Sequence, residues 1–108
     1  MHIEINTDNH LQTDESVVRH VHETLETLLV RFRNQVSRIE VHLHDTNADK
    51  KGDGDKHCLM EAKVEGRPAL AASENAATLA AAISGAAKKL QRVIDTDLGR
   101  LADQRGGH

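Results

Sequence analysis

Ser37-Arg38-Ile39-Glu40-Val41-His42-Leu43-His44 is the stretch on which the fold turns. Ile39, Val41 and Leu43 point one way, and Arg38, Glu40, His42 and His44 the other. That period of two predicts a half-buried strand. Downstream lies a polar loop, Asp45 to Lys56, rich in Asp, Lys and Gly. A second alternating stretch follows, with Cys58, Met60, Ala62 and Val64 on one face and Leu59, Glu61 and Lys63 on the other. Glu65-Gly66-Arg67-Pro68 carries turn chemistry and the single proline of the chain. Beyond it Leu70 and Ala72 mark a further strand, written largely in alanine, a poor strand former. Upstream, His2-Ile3-Glu4-Ile5-Asn6 alternates in the same way and predicts a short strand at the start.

Two longer segments carry the helical period. Thr13 is placed as an N-cap, with Asp14 and Glu15 in a first turn where negative charge suits the helix dipole. Val18, Val21, Leu25, Leu28 and Phe32 then form one apolar stripe, widened by Val17 and Leu29, on a helix of about five turns. Near the other end of the chain, Leu79, Ile83, Ala86, Leu90, Val93 or Ile94, Leu98 and Leu101 form a second stripe. Gly85 interrupts it and reads as a turn packed closely against the sheet. The order is β-α-β-β-β-α. It predicts an α+β two-layer sandwich, a four-stranded sheet with two helices packed on one face. The other face is left polar, as an antiparallel sheet permits. One domain over 1–102 and a flexible tail over 103–108 are expected.

Composition narrows the function. At 108 residues the chain is one domain's length, 38% hydrophobic, with one Phe and no Tyr or Trp. Its core must be built from Leu, Val, Ile, Ala and Met. No apolar run approaches the roughly 20 residues of a membrane span, and Met1-His2-Ile3-Glu4 has no signal-peptide character. A lone cysteine, Cys58, excludes an internal disulfide framework and fits a reducing compartment, so a cytoplasmic location is expected. Net charge is −3, which argues against a blanket nucleic-acid binder and directs attention to local patches.

Eight histidines raise the question of a metal. His42 and His44 share one strand face and His57 opens the next strand, which could make a three-imidazole site. No carboxylate or cysteine joins them at recognisable zinc spacing, and solvated polar residues are the plainer reading. Asp45-Thr46-Asn47-Ala48-Asp49 begins like a calcium loop. Lys50 then stands at the required glycine and Lys56 at the bidentate glutamate, which leaves a charge-balanced hairpin loop. There is no nucleophile elbow and no phosphate-binding glycine loop, and Cys58 points into the core. No enzyme activity, metal, cofactor or small-molecule substrate is expected.

Charge distribution is more informative. Residues 76–108 carry Lys88, Lys89, Arg92, Arg100 and Arg105 against Asp95, Asp97 and Asp103, a net of +2 in an acidic chain. Lys88, Lys89 and Arg92 lie at helical spacings that can meet successive RNA phosphates, and a solvated helix face is the alternative. Arg31 and Arg33, with Lys63, Arg67 and Arg38, could enlarge the patch. Without aromatics, base stacking on a sheet platform is excluded, so any RNA would be held by backbone and shape.

Ile3-Glu4-Ile5-Asn6-Thr7-Asp8-Asn9, Val36-Ser37-Arg38-Ile39-Glu40-Val41-His42-Leu43, Cys58-Leu59-Met60-Glu61-Ala62, Glu65-Gly66-Arg67 and Gly85-Ala86-Ala87-Lys88-Lys89-Leu90 together resemble a known family. It is the hibernation-promoting factor and ribosome-associated inhibitor A family, also called sigma-54 modulation or ribosomal subunit interface proteins. The resemblance runs from about residue 1 to 101 and lies in order and spacing. It implies a fold related to double-stranded-RNA-binding domains and a partner, the small ribosomal subunit with its 16S rRNA. It further implies occupation of the messenger and transfer RNA channel, which silences idle ribosomes under stress. Carried over by position, the rRNA-binding residues are Lys88, Lys89 and Arg92, with Arg31 and Arg33 at the end of the first helix. Where the family continues the last helix with lysines, this chain has Asp95-Thr96-Asp97, and it reads as a short form without a C-terminal extension. The rival expectation is a protein-interaction module of the same fold that has lost strong RNA binding.

Overall fold

The computed structural model describes residues 1–8, 14–45 and 56–105, with side chains as far as residue 99. The strand predicted from Ser37 to His44 is β2, Val36–Asp45. It is flanked by β1, His2–Thr7, and β3, Lys56–Val64, and β4, Leu70–Ala76, completes the sheet in the order β1-β2-β3-β4. Between β1 and β2 runs α1, Glu15–Leu28, and after β4 comes α2, Leu79–Arg105. The element order is the expected β-α-β-β-β-α. The sheet, however, is mixed: β1 lies parallel to β2, and the other two pairings are antiparallel. Parallel neighbours need a crossover too long for a hairpin, and α1 provides it.

The register explains how alternation becomes a core. Ile3, Ile39, Ala62 and Leu70 form one row across all four strands, and Ile5, Val41, Met60 and Ala72 form the next. Ile39, Val41, Met60 and Ala62 are fully buried there with Val21, Leu25, Leu29, Ile83, Leu90 and Ile94 of the helical layer. Val36 and Ile39 are both buried although three residues apart, a spacing that would put them on opposite faces of a regular strand. A register shift between Val36 and Arg38 absorbs the extra residue and returns Val36 to the core.

The first helix departs from its predicted stripe. Its apolar face runs through Val17, Val21, Leu25 and Leu29, while Val18 is 38% exposed. The α-helix ends at Leu28 and tightens into a 3₁₀ turn, Val30–Phe32, which carries Phe32 into the core. Asp14 is the N-cap: its Oδ1 accepts from the Val17 backbone N–H at 3.0 Å and from the Ser16 hydroxyl at 2.6 Å. These bonds, the one from Ser16 foremost, hold the Asp14 carboxyl below its ordinary pKa. Thr13 lies outside the described residues, as does the calcium-like stretch from 46 to 55.

In α2 the stripe selects Ile94 over Val93, and the tight packing read into Gly85 is present. A Cβ at that position would lie 2.7 Å from Glu74 Cγ on β4. Gly66 supplies the positive φ, +74°, of the β3–β4 turn, closed by the Arg67 N–H donating to the Val64 carbonyl at 3.0 Å. Leu101 and residues 106–108 fall outside what is described. Among the described residues no helix is long and apolar enough to cross a membrane.

Candidate nucleic-acid interface

α1 and α2 lie side by side and are tied at three levels. The His20 ring Nε2 donates to the Ala80 carbonyl at 3.2 Å and lies 3.1 Å from Ser84 Oγ. One turn and a half further on, Gln91 Nε2 donates to the Leu28 carbonyl at 2.9 Å, satisfying a backbone oxygen left over at the end of α1. Beyond that Arg31 reaches Asp95 at 2.8 Å. Ser84, Lys88, Gln91 and Asp95 therefore share the edge of α2 that borders α1. Lys88 stands on this seam, over a shallow groove lined by His20, Glu23, Thr24, Thr27 and Ser84.

The five predicted cations do not form one continuous patch. Lys88, Arg92 and Arg33 are exposed, and none of them has an ion-pair partner among the described residues. Arg92 follows Lys88 by one helical turn, and the Arg31–Asp95 pair lies beside it. Arg31 also stacks over the Phe32 ring, its guanidinium carbon 4.8 Å from the centroid. Lys89 faces the other way, toward β4, where its Nζ is 2.7 Å from Glu74 Oε1. Two of the five are thus engaged within the chain.

The residues read as enlarging this patch lie elsewhere. Arg38 and Lys63 are cross-strand partners on the open face of the sheet. Arg38 is held there by Glu4 at 2.9 Å and Glu40 at 3.3 Å. Arg67 makes a two-pronged pair with Asp97, at 2.8 and 3.1 Å, which fastens the β3–β4 turn to α2. Asp95 and Asp97, which stand out in the sequence as acidic interruptions, are each the anchor of one arginine.

The histidines are sorted by register as well. His44 and His57 are cross-strand partners with ring centroids 6.2 Å apart. His44 Nδ1 lies 3.2 Å from Asp8 Oδ2, and His57 hydrogen-bonds Asn75. His42 turns instead to two carboxylates, with Nε2 at 3.1 Å from Glu61 Oε1 and 3.6 Å from Glu40 Oε1. The candidate metal-ligating group among the described residues is therefore Glu40, His42 and Glu61, in place of the three histidines. Glu40 was visible from the sequence as the same-face neighbour of His42. Glu61 becomes a neighbour only through the β2–β3 register.

Two comparisons place this architecture. The solved N-terminal domain of Thermus thermophilus Protein Y superposes with a TM-score of 0.67 at 21% identity, covering 85% of this chain and 93% of that one. A ribosomal subunit interface protein from Coxiella burnetii gives 0.73 at 15% identity, covering 91% and 99%. At such identities the likeness is one of fold. No curated protein matches by sequence. A family model, described as Sigma 54 modulation protein / S30EA ribosomal protein, matches residues 3–101 and so spans both helices and all four strands. With the seam of α1 and α2, the mixed sheet and nearly the whole length accounted for, the chain belongs to the Sigma 54 modulation protein / S30EA ribosomal protein family.

Proposed function

We propose that this protein is a ribosome-associated hibernation factor that binds the small ribosomal subunit through 16S rRNA phosphates. Bound there, it blocks translation by occupying the path of messenger and transfer RNA. The observation that carries the reading is the α1–α2 seam, with Lys88 and Arg92 unpaired on a helix pair fixed at three levels, in a chain of this family. Phosphate binding suits such a surface, because a fixed row of cations positions a backbone without reading bases. The action is steric. A rigid sandwich fills a channel, and no bond is made or broken.

The test is co-sedimentation with ribosomes and separated subunits at low and high salt. Wild type pellets with the small subunit and is released as salt rises. Lys88→Glu combined with Arg92→Glu abolishes pelleting, while unfolding stability changes by no more than about 0.5 kcal/mol per exposed substitution. Pelleting that survives the double reversal rules out this surface. A wild-type protein that stays at the top of the gradient at low salt leaves the protein-interaction module as the better reading. The engagement of Arg31 and Lys89 by acidic partners within the chain is the feature that favours that alternative.

A further inference from the structure

We propose that Glu40, His42 and Glu61 form a binding site for one divalent transition-metal ion of the zinc class, on the face of the sheet opposite the helices. The donor set is one imidazole and two carboxylates, all of which zinc accepts. Their ligand atoms all lie within 4.8 Å of one another. With zinc bonds of about 2.1 Å, a tetrahedral site separates its ligand atoms by about 3.4 Å. His42 Nε2 stands at 3.1 Å from one carboxylate oxygen and 3.6 Å from the other, on either side of that spacing. The backbone holds the three in place. Glu40 and His42 are same-face neighbours on β2, and Glu61 is the cross-strand partner of Glu40 on β3.

Charge supplies an independent reason. Glu4, Glu40 and Glu61 occupy one rung across three adjacent strands, an arrangement of like charges that is ordinarily destabilising. Arg38 answers part of it, with Nη2 at 2.9 Å from Glu4 Oε1 and Nε at 3.3 Å from Glu40 Oε2. That contact takes the Glu40 oxygen turned away from His42 and leaves Oε1 on the histidine side, as an outer-shell group orients a metal ligand. A dication between Glu40 and Glu61 completes the neutralisation of the rung. The three side chains are partly exposed, 27% for His42, 38% for Glu40 and 47% for Glu61, so the ion enters from solvent and keeps water at its remaining position. The neighbouring rung, Arg38 opposite Lys63, keeps the site weaker than a closed structural zinc centre. The site lies away from the α1–α2 seam and does not depend on ribosome binding.

The experiment is calorimetric titration of the tag-free chain with zinc chloride. Four proteins are compared: wild type, His42→Gln, Glu61→Gln, and the double variant His44→Gln with His57→Gln. Circular dichroism and thermal melts of the metal-free proteins first confirm that each is folded, and these surface substitutions leave either His42→Gln or Glu61→Gln available if the other is not. The expected result is saturable binding that weakens at least about ten-fold in His42→Gln and in Glu61→Gln, the scale on which even supporting residues act in metal sites. The His44/His57 variant binds as wild type does. Saturating zinc also raises the melting temperature of wild type and of the His44/His57 variant only. Absence of saturable binding overturns the proposal. So does undiminished binding by His42→Gln or Glu61→Gln, and so does loss of binding in the His44/His57 variant, which would return the metal to the other two histidines.

Discussion

Cys58 shows how one side chain takes its chemistry from its position. It sits on β3 opposite Glu74, fully buried on the core face, and burial pushes its thiol up to about 12 from an ordinary 9.0. The thiolate is the reactive form, so the native protein should not react with Ellman's reagent at pH 8, and the unfolded protein should react at once. The same shift has a stability sign. The unfolded chain ionises this thiol above about pH 9 and the folded chain does not, so its contribution is complete below 9.0 and is lost as pH rises toward 12. Urea midpoints measured from pH 8 to 11 should therefore fall more steeply in wild type than in Cys58→Ala, and parallel curves would contradict this. Asp14 works in the opposite sense: its lowered pKa makes the cap of α1 an interaction lost on acidification.

At the scale of elements, the packing of α2 on β4 turns on Gly85. Alanine in a helix is worth about 1 kcal/mol over glycine by intrinsic propensity. Here an added methyl would meet Glu74 Cγ at 2.7 Å and Oε2 at 2.8 Å, and the displaced carboxylate would leave Lys89. Gly85→Ala should thus stabilise the protein little or reduce its stability. In a Glu74→Ala background the same change should gain close to the full propensity difference of about 1 kcal/mol. Chemical denaturation of the four proteins of this cycle gives the coupling directly, and additive effects would show that the methyl finds room without moving Glu74. The α1 stripe belongs to this scale too. A helix of about five turns was read from the recurrence of apolar residues, but the observed helix spans 14 residues. The recurrence continues through Phe32 because a 3₁₀ turn carries that ring into the same core, and periodicity alone does not separate one helix from two.

Across the whole molecule, the charge available to a polyanion is less than the cation count suggests. Arg31 and Lys89 are exposed but paired, with Asp95 and Glu74, while Lys88, Arg92 and Arg33 are not. Freeing the first two should therefore strengthen ribosome binding. Asp95→Asn and Glu74→Gln should each raise affinity at low salt and steepen the log–log salt dependence, by about 0.7 to 0.9 for each new phosphate contact. Filter binding or sedimentation across a salt series checks this, and unchanged slopes would mean that these pairs do not compete with RNA. Arg67 and Asp97 should behave differently. Their paired, half-buried geometry fastens the β3–β4 turn to α2, so Asp97→Asn should lower the melting temperature more than Asp95→Asn does.

The sequence by itself determined the elements and which side of each faces inward. Alternation over 37–44 and 58–64 is a property of neighbouring residues, and burial of Ile39, Val41, Leu43, Cys58, Met60, Ala62 and Val64 follows from it. It also pointed to Lys88 and Arg92, since residues four apart on a helix share a face wherever the helix is placed. What only tertiary structure decided was who stands beside whom across elements. Register set Glu61 against Glu40 and sent His44 and His57 away from His42. The docking of α2 gave Lys89 to Glu74 and Asp95 to Arg31. The reason is range: local periodicity is written into consecutive residues, whereas an ion pair between residues 15 or 64 positions apart exists only after the core has fixed one element against another.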